Sequence, residues 1–289
     1  MTPSGRRSLQ AWLFLAPALV LLAAFSFWPV GYGSVLAFTD YSLIRETRFV
    51  GLDNFRYIFN NEMFVTGLQN SLVFLMMVPF VQVGDIVLAV LVNNRLPGIR
   101  LFRAAFYVPV VTTVSVVGIM WGFMFHEQGA LNYVMMTLKL VHAPVGWLSN
   151  DSLALFAVMF VTLWRGLGWY MVMYLAALQS IPSEMQEAAM LDGASRWQRF
   201  WKITVPMLRP TIMLCTILSV LAALKAYQEV DVLTQGGPMN STFTALYYAY
   251  DQGLKHLKLP RALAASFVVS LLCIAIALLC LRYLKPKHR

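Results

Sequence analysis

The sequence predicts an all-α membrane protein with six membrane-spanning helices. Of its 289 residues, 59% are hydrophobic and 12% are charged, whereas a soluble domain has about 45–50% apolar and about 25% charged residues. An apolar helix of about 20 residues spans the hydrocarbon core, because each residue rises about 1.5 Å. We predict one transmembrane domain, 1–289, with six spans at 11–33, 67–93, 102–125, 152–178, 207–233 and 261–284.

The first apolar run follows Arg6 and Arg7 and admits a second interpretation. A basic pair before an apolar segment is also found in signal peptides and twin-arginine signals. The run from Ala11 to Gly31 is longer than the apolar part of a typical signal peptide, and no clear small-residue cleavage site follows it. We therefore expect a retained first span.

The distribution of charge predicts that both termini lie in the cytoplasm. Thirteen of the 22 Lys and Arg residues lie in 1–10, 94–101, 179–206 and 285–289 or at the adjoining helix ends, against three acidic residues. The opposite loops carry seven basic and seven acidic residues. Since basic residues concentrate in cytoplasmic loops, the net charge of +9 reports topology. No basic patch outside these segments indicates nucleic-acid binding.

Cysteine and glycine patterns exclude several kinds of site. Cys215, Cys273 and Cys280 all lie in predicted spans, where we expect them to act as small apolar packing residues. No cysteine and histidine cluster has the spacing of a metal site. The sequence also lacks a Gly-x-x-x-x-Gly-Lys-Ser/Thr loop, so it has no standard loop to hold ATP phosphates.

Segment 179–206 joins the fourth and fifth runs and predicts two short helices. Ser183 and Gln186 have the spacing of a capping box, which predicts the start of the first helix. Gly193 can supply the left-handed residue that ends this helix.

The second helix of this segment is predicted to begin at another capping box, Ser195 and Gln198. Aromatic and basic residues then fall on opposite sides, which is typical of a helix that lies among lipid headgroups. The aromatic side is formed by Trp197, Phe200, Trp201 and Thr204. An amphipathic connector between two spans would show the same pattern, so amphipathicity alone assigns no function.

Apart from arginines close to the span ends, five charged residues lie inside predicted spans, where charge is costly and usually faces a bundle interior or an aqueous cavity. They are Asp85, Arg165, Lys225, Glu229 and Asp231. A structural ion pair or a side chain reaching toward the interface is the alternative, and we favour it for the three acids.

Arg165 lies in an aromatic context, between Trp164 and Trp169 and beside Gly166. Sugars present apolar C–H faces and many hydroxyl groups, so aromatic planes beside polar donors suit them. Arg165 can donate to sugar hydroxyls, pair with an anionic group such as phosphate, or be neutralised by a neighbouring carboxylate. Asp85 is the nearest carboxylate by predicted depth.

Two other classes of function remain open at this point. A secondary transporter could use Asp85, Arg165, Lys225 and Asp231 as an ion-coupled relay. A membrane enzyme would need a nucleophile–base pair or a metal site at a membrane face, and we find no such constellation.

The pattern in segment 179–206 resembles the EAA loop of ABC importer permeases. Glu187-Ala188-Ala189 is followed after three residues by Gly193, and after nine more by Ile203-Thr-Val205-Pro206. Leucine usually precedes the proline in this family, so Val205 is a mild departure. The longer string from Leu178 to Ser195 resembles the carbohydrate-importer branch, which handles maltose, other oligosaccharides and glycerol-3-phosphate.

Three loops on the opposite side resemble the same branch: Phe49–Phe55, Trp147–Ser149 and Thr234–Pro238. Gly236-Gly237-Pro238 is similar to the motif of the first of two permease subunits. Independently of the resemblance, we expect the aromatic stretch 243–250 at the external membrane interface.

The resemblance implies a type I ABC importer permease fold and ATP-driven uptake of a carbohydrate across the cytoplasmic membrane. The implied partners are a second homologous permease, two ATPase subunits that bind ATP and magnesium, an extracytoplasmic solute-binding protein and the lipid bilayer. This chain itself would bind no cofactor. Coupling to the ATPase is implied for Glu187, Ala188, Ala189 and Gly193. The implied substrate path comprises Thr162, Trp164, Arg165, Gly166, Trp169, Ser219, Ala222, Ala223 and Ala226.

Overall fold

The computed structural model describes residues 3–42, 46–93 and 97–284, with side chains described from residue 11 to 283. Arg45, Arg95 and the basic tail 285–289, on which part of the charge argument depends, lie outside the described residues. In the described part of the chain, regular structure is helical apart from one antiparallel bridge between Thr39 and Phe49.

The helices vary from single turns to membrane length. In chain order they are α1 Pro3–Leu22, α2 Trp28–Leu36, α3 Asp53–Phe59, α4 Glu62–Phe74, α5 Met77–Val92, α6 Ile99–Val111, α7 Val114–Phe125, α8 Ala130–Thr137, α9 Asp151–Gly166, α10 Trp169–Gln179, α11 Ser183–Leu191, α12 Arg196–Arg199, α13 Val205–Leu224, α14 Gln228–Leu233, α15 Ala245–Tyr250 and α16 Leu259–Leu284. Three π-helical turns occur at Ala23–Phe27, Phe200–Thr204 and Asp251–Lys255.

Within the described ranges, five helical stretches are long and apolar enough to cross a membrane, or six if one bent pair counts as a span. The five are Ala11–Leu36, Glu62–Val92, Asp151–Gln179, Arg196–Leu224 and Leu259–Tyr283. The bent pair is Ile99–Val111 with Val114–Thr137, at an angle of 101°. The all-α membrane fold class is confirmed.

The third predicted span, 102–125, corresponds to the bent pair and consists of two helices, not one. Thr112 and Thr113 have extended backbone, with ψ angles of 137° and 145°, and they separate α6 from α7. The Thr112 hydroxyl donates to the Val108 carbonyl at 2.8 Å. The same carbonyl accepts the Thr112 N–H at 3.2 Å, so residue 112 stays bonded to the last turn of α6.

The fifth predicted span, 207–233, was also too long as a single helix. Helix α13 ends at Leu224, and α14 begins only at Gln228. The Ala226 carbonyl in this break accepts the Thr244 hydroxyl at 2.6 Å. A partner distant in sequence thus stabilises the break.

The chain divides into two compact units, one containing residues 1–60 and 249–267 and the other containing 61–248 and 268–289. In the first unit, Asn54 Nδ2 donates to the carbonyls of Ala37 and Thr39, each at 2.9 Å. These bonds fix the segment that follows α2. The single transmembrane domain stays a prediction.

The core of the second unit forms where α5, α10 and α13 pack together. Their buried side chains include Val81, Ala89, Met171, Tyr174, Leu208 and Cys215. Because this region is formed by apolar residues from three helices, a polar group buried in it is destabilising unless it is hydrogen-bonded.

The aromatic stretch 243–250 is largely buried in the protein, and its position at the external membrane interface stays a prediction. Phe243, Tyr247 and Tyr248 are buried within the second unit. Asn70 Nδ2 on α4 donates to the Phe243 carbonyl at 2.8 Å. Because α4 supplies this partner for the loop backbone, the stretch packs inside the protein.

In segment 179–206, the first predicted capping box does not form. Pro182 precedes α11, and Ser183 is already helical without a side-chain cap. Gln186 Nε2 instead donates to the Thr204 hydroxyl at 3.3 Å. The side chain expected to close a local cap therefore joins the two ends of the segment.

The end of α11 and the second capping box agree with prediction. Gly193 has φ +75°, its N–H donates to the Met190 carbonyl at 3.1 Å, and the Ala194 N–H donates to the Ala189 carbonyl at 2.9 Å. These two bonds form a Schellman motif. The Ser195 hydroxyl accepts the Gln198 N–H at 3.2 Å, and Gln198 Oε1 accepts the Ser195 N–H at 2.8 Å.

Candidate functional site

A cavity of about 350 Å³ lies within the second unit. It is walled by residues from α4, α5, α6, α9, α10 and α13. Seven of the nine residues implied for a substrate path line it: Thr162, Arg165, Gly166, Trp169, Ser219, Ala222 and Ala223. The structure thus brings these residues together from three helices that are separated in sequence.

Two of the implied residues do not line the cavity. Trp164 packs edge-on against Trp121, with 5.4 Å between the ring centroids and an interplanar angle of 74°. Ala226 is buried in the break between α13 and α14. A substrate role for these two residues stays a prediction that their positions do not support.

Sequence reasoning missed the remaining wall of the cavity. It consists of Phe74, Met77, Val78, Val81, Val110 and Tyr170. Five of these are apolar residues in apolar spans, and such residues carry no local signal that separates a cavity wall from a lipid-facing surface. Tyr170 was detectable, because it directly follows Trp169.

Arg165 forms an ion pair with Glu229, with 2.8 Å between Nη2 and Oε1. The Arg165 side chain is 30% exposed and the Glu229 side chain is 5% exposed. The suggestion that Asp85 neutralises Arg165 was therefore wrong. Glu229 lies on α14, which begins at Gln228 after the break that follows Leu224.

Asp85 is fully buried and binds backbone instead of Arg165. Its Oδ1 accepts the N–H of Gly168 at 3.0 Å and that of Met171 at 3.1 Å. These donors lie at the beginning of α10, where the first N–H groups have no partner inside the helix. Asp85 therefore stabilises the start of a helix that lines the cavity.

The break between α9 and α10 requires glycine at position 168. Gly168 has φ +102°, and a Cβ atom there would collide with the Phe106 carbonyl on α6. A larger residue would strain both the backbone and the contact with α6. Gly168 therefore allows α10 to begin at the next residue, Trp169.

A second buried polar group links the cavity wall to the core. Gln82, one turn before Asp85 on α5, donates through Nε2 to the Ser219 hydroxyl at 2.9 Å. The Tyr174 hydroxyl donates to Gln82 Oε1. These bonds satisfy buried polar groups, and they fix Ser219 on the wall.

The lining has the chemistry of a binding surface. Trp169 and Tyr170 offer aromatic planes, and Arg165 offers N–H donors. The hydroxyls of Thr162 and Ser219 can act as acceptors, because each already donates to a carbonyl of its own helix. Small residues at 222 and 223 leave space beside them. The arrangement can hold a solute with apolar faces and hydroxyl groups.

The residues proposed for coupling lie on a projecting helix. Helix α11 has no buried residue, and Glu187, Ala188 and Gly193 are exposed. Leu191 at its end is 90% exposed. The structure therefore leaves this helix available to contact another protein.

Segment 179–206 is attached at both ends to helices that reach the cavity. Helix α10 precedes it and carries Trp169 and Tyr170 on the cavity wall, whereas α13 follows it and carries Ser219, Ala222 and Ala223. Helices α10 and α13 therefore connect the cavity of the second unit to the exposed helical segment.

Comparison with known proteins identifies the family. Residues 66–289 match the family described as binding-protein-dependent transport system inner membrane component. A lactose transport system permease protein of Rhizobium radiobacter is 32% identical over 96% of this chain and 97% of its own length. An sn-glycerol-3-phosphate transport system permease protein of Yersinia pestis is 30% identical over 100% and 99%. The chain belongs to this family of inner-membrane permeases.

Solved structures confirm the fold. A bacterial ABC transporter that imports the acidic polysaccharide alginate aligns with a TM-score of 0.84 and 22% identity, covering 98% of both chains. The alginate transporter in complex with an alginate pentasaccharide-bound periplasmic protein gives the same TM-score and identity, covering 97% and 95%. The chain therefore has the ABC importer permease fold.

Family membership establishes that this chain is the permease subunit of an ABC importer and not an enzyme. Family membership therefore excludes the alternative that this chain is a secondary transporter. Two of the four residues suggested for an ion relay have other partners, since Arg165 pairs with Glu229 and Asp85 binds backbone N–H groups.

Proposed function

We propose that this permease conducts a carbohydrate through the cavity lined by Arg165, Trp169 and Ser219. The observation that carries the proposal is the joining of aromatic planes and hydrogen-bonding groups in one cavity of about 350 Å³. Relatives are named for lactose, a neutral sugar, and for sn-glycerol-3-phosphate, an anionic phosphate ester, so they support a carbohydrate-like solute without fixing its charge. The alginate importer supports the fold only, because its identity is 22%.

Helix α11 is the proposed contact with an ATPase subunit, through Glu187, Ala188, Ala189 and Gly193. The side chains of the two alanines are small and let the ATPase subunit approach the helix backbone closely, and Glu187 offers a polar contact. The Schellman motif at Gly193 turns the chain sharply, so that α11 projects.

The route from this contact to the cavity runs along helices. Gln186 on α11 bonds to Thr204, and the helix continues from there without a gap to Leu224. Ser219 lies roughly 20 Å along this axis at about 1.5 Å per residue. A displacement of α11 therefore moves the cavity wall, provided that ATP binds one state of the transporter better than the other.

The remaining assembly is proposed by analogy with the family. It contains a second homologous permease, two ATPase subunits that bind ATP and magnesium, and an extracytoplasmic solute-binding protein. Both termini of this chain lie in the cytoplasm, as the thirteen Lys and Arg residues on that side of the predicted topology indicate, against seven on the opposite side. One of the two ATPase subunits binds α11 on the cytoplasmic side.

A reconstituted transporter tests the proposed path. Trp169→Ala removes an aromatic plane from the cavity, and we expect uptake of the transported sugar to fall about tenfold, as loss of about 1.4 kcal/mol would give. Phe80→Ala is the matched control, because Phe80 is an exposed aromatic residue of α5 outside the cavity. Equal uptake by both variants would remove Trp169 from the substrate path.

A further inference from the structure

The charge of the cavity wall narrows the class of solute that the proposed path accepts. Among the described residues that line the cavity, Arg165 is the one with a charge. Its guanidinium lies 2.8 Å from the Glu229 carboxylate. The pair contributes one positive and one negative charge, so this part of the wall has no net charge.

An anionic solute would have to compete with Glu229 for the same guanidinium. Glu229 is almost fully buried, and a buried carboxylate that loses its partner is strongly destabilised. Binding of a phosphate or uronate group at Arg165 therefore carries a penalty that an uncharged hydroxyl avoids. A hydroxyl can accept from a guanidinium N–H that faces the cavity while the ion pair stays intact.

The other charged groups nearby do not supply a free positive charge to the lining. Asp85 and Asp231 are acids, and Asp85 lies directly behind the start of α10. Lys225 is exposed and follows the end of α13, but it does not line the cavity. Thr162 and Ser219 add neutral hydroxyl groups to the wall.

We infer that the wall contributed by this chain accepts an uncharged polyhydroxylated solute and disfavours sugar phosphates and uronates. The inference rests on the proposed substrate path and deepens it. Its structural basis is that Glu229 already neutralises the cation that an acidic substrate would require.

Thiol chemistry at the wall can measure this property without knowledge of the natural substrate. Ala222 is exposed to the cavity, so Ala222→Cys introduces a reporter thiol into the assembled transporter. Three methanethiosulfonate reagents of similar size are compared, carrying a sulfonate, a trimethylammonium or a hydroxyl group. Each rate is divided by the rate with 2-mercaptoethanol in solution, and the transporter without Ala222→Cys gives the background from native thiols.

With Glu229 present, we expect the corrected rates of the anionic and cationic reagents to agree within about threefold. Adding Glu229→Gln leaves Arg165 uncompensated and should raise the ratio of anionic to cationic rate about tenfold or more, because an unpaired charge in a narrow cavity concentrates counter-ions. Combining Arg165→Gln with Glu229→Gln should return the ratio to its starting value. Lys225→Gln should leave the ratio unchanged.

Two different failures are distinguishable. The inference of an uncharged solute is wrong if the anionic reagent already reacts tenfold faster than the cationic reagent with Glu229 present. It is also wrong if Lys225→Gln changes the ratio of these two rates tenfold. In both cases the proposed substrate path is unaffected. If none of the reagents reacts at position 222 above background, the cavity is not an aqueous route and the proposed path itself is wrong.

Discussion

Asp85 and Gly168 are joined by a hydrogen bond that fixes the break between α9 and α10. Asp85 Oδ1 accepts the Gly168 N–H at 3.0 Å, and the same oxygen accepts the Met171 N–H at 3.1 Å. A side chain of one helix thus caps the first turn of another. Trp169 and Tyr170 lie in this turn, so Asp85 positions two residues of the cavity wall.

Asp85→Leu should destabilise the assembled transporter. Two backbone N–H groups would lose their acceptor in a region that water does not reach, at about 1–3 kcal/mol for each. We expect a lower midpoint of thermal unfolding in detergent and a matching loss of transport. Asp85→Asn keeps an acceptor oxygen and should stay within about 1 kcal/mol of the parent protein. If Asp85→Leu and Asp85→Asn destabilise the transporter equally, the helix cap does not explain the contribution of Asp85 to stability.

Arg165→Gln should reduce the yield of assembled transporter, because it leaves the Glu229 carboxylate buried without a partner. Breaking a fully buried pair costs about 3–5 kcal/mol. We expect roughly 1–3 kcal/mol here, since the Arg165 side chain is 30% exposed and solvent screens part of the interaction. Size-exclusion yield and thermal midpoint measure the effect.

A pair of double variants identifies the partner of Arg165. Arg165→Gln with Glu229→Gln should recover most of the lost yield, because both members of the pair are neutral. Arg165→Gln with Asp85→Asn should recover nothing, since Asp85 binds the backbone of α10. Recovery by the Asp85 variant in place of the Glu229 variant would contradict the observed pairing.

Gly193→Val should abolish coupled transport while the chain remains in the membrane. A Cβ atom at this position would meet no neighbour within 4 Å, so the constraint comes from the backbone φ of +75°. A β-branched residue opposes this conformation at about 1–3 kcal/mol, whereas asparagine tolerates it. Uptake normalised to membrane abundance should therefore be lost in Gly193→Val and kept in Gly193→Asn. Normal uptake by Gly193→Val would show that coupled transport does not require the left-handed backbone at the end of α11.

Glu187→Arg should uncouple the transporter without affecting its fold. Glu187 is exposed on α11, so reversing its charge affects few contacts within this chain. We expect normal membrane abundance and a loss of uptake, because the new charge would face a surface that accommodates a carboxylate. Glu187→Gln should give an intermediate rate. Uptake at the parental rate in Glu187→Arg would rule out a polar contact at this position.

The permease purified alone should neither bind nor hydrolyse ATP, because its sequence has no phosphate-binding loop. Hydrolysis should appear when the ATPase subunits are added. A variant of the ATPase that cannot bind nucleotide provides the control. Hydrolysis that remains with this chain after removal of all other subunits would contradict the prediction.

Local sequence signals identified the parts of the fold that depend on neighbouring residues. Gly193 adopts its predicted left-handed conformation, and Ser195 and Gln198 form their predicted capping box, because each depends on a few adjacent residues. The capping box at Ser183 fails for the opposite reason. Gln186 has a competing partner, Thr204, which lies at the other end of the segment.

Helix breaks inside apolar runs were not predictable, because hydropathy averages over a window and carries no direction. The chain turns by 101° between α6 and α7 without any loss of apolar character. The break after Leu224 depends on Thr244, which supplies a hydroxyl from a later loop. Depth in the sequence pointed to Asp85 as the partner of Arg165, but it carried no information that backbone N–H groups of α10 already occupy this carboxylate.

The ion pair between Arg165 and Glu229 has a consequence for biosynthesis. Arg165 belongs to a segment that is translated earlier than the segment with Glu229, so the arginine must enter the membrane before its partner exists. Insertion of an isolated arginine near the middle of a span costs about 2.5–3.5 kcal/mol. At about 5–20 residues per second, the arginine remains unpaired for several seconds. During this interval the nascent chain depends on the insertion machinery to shelter the guanidinium, and final packing of α9 waits for the ribosome to deliver α14.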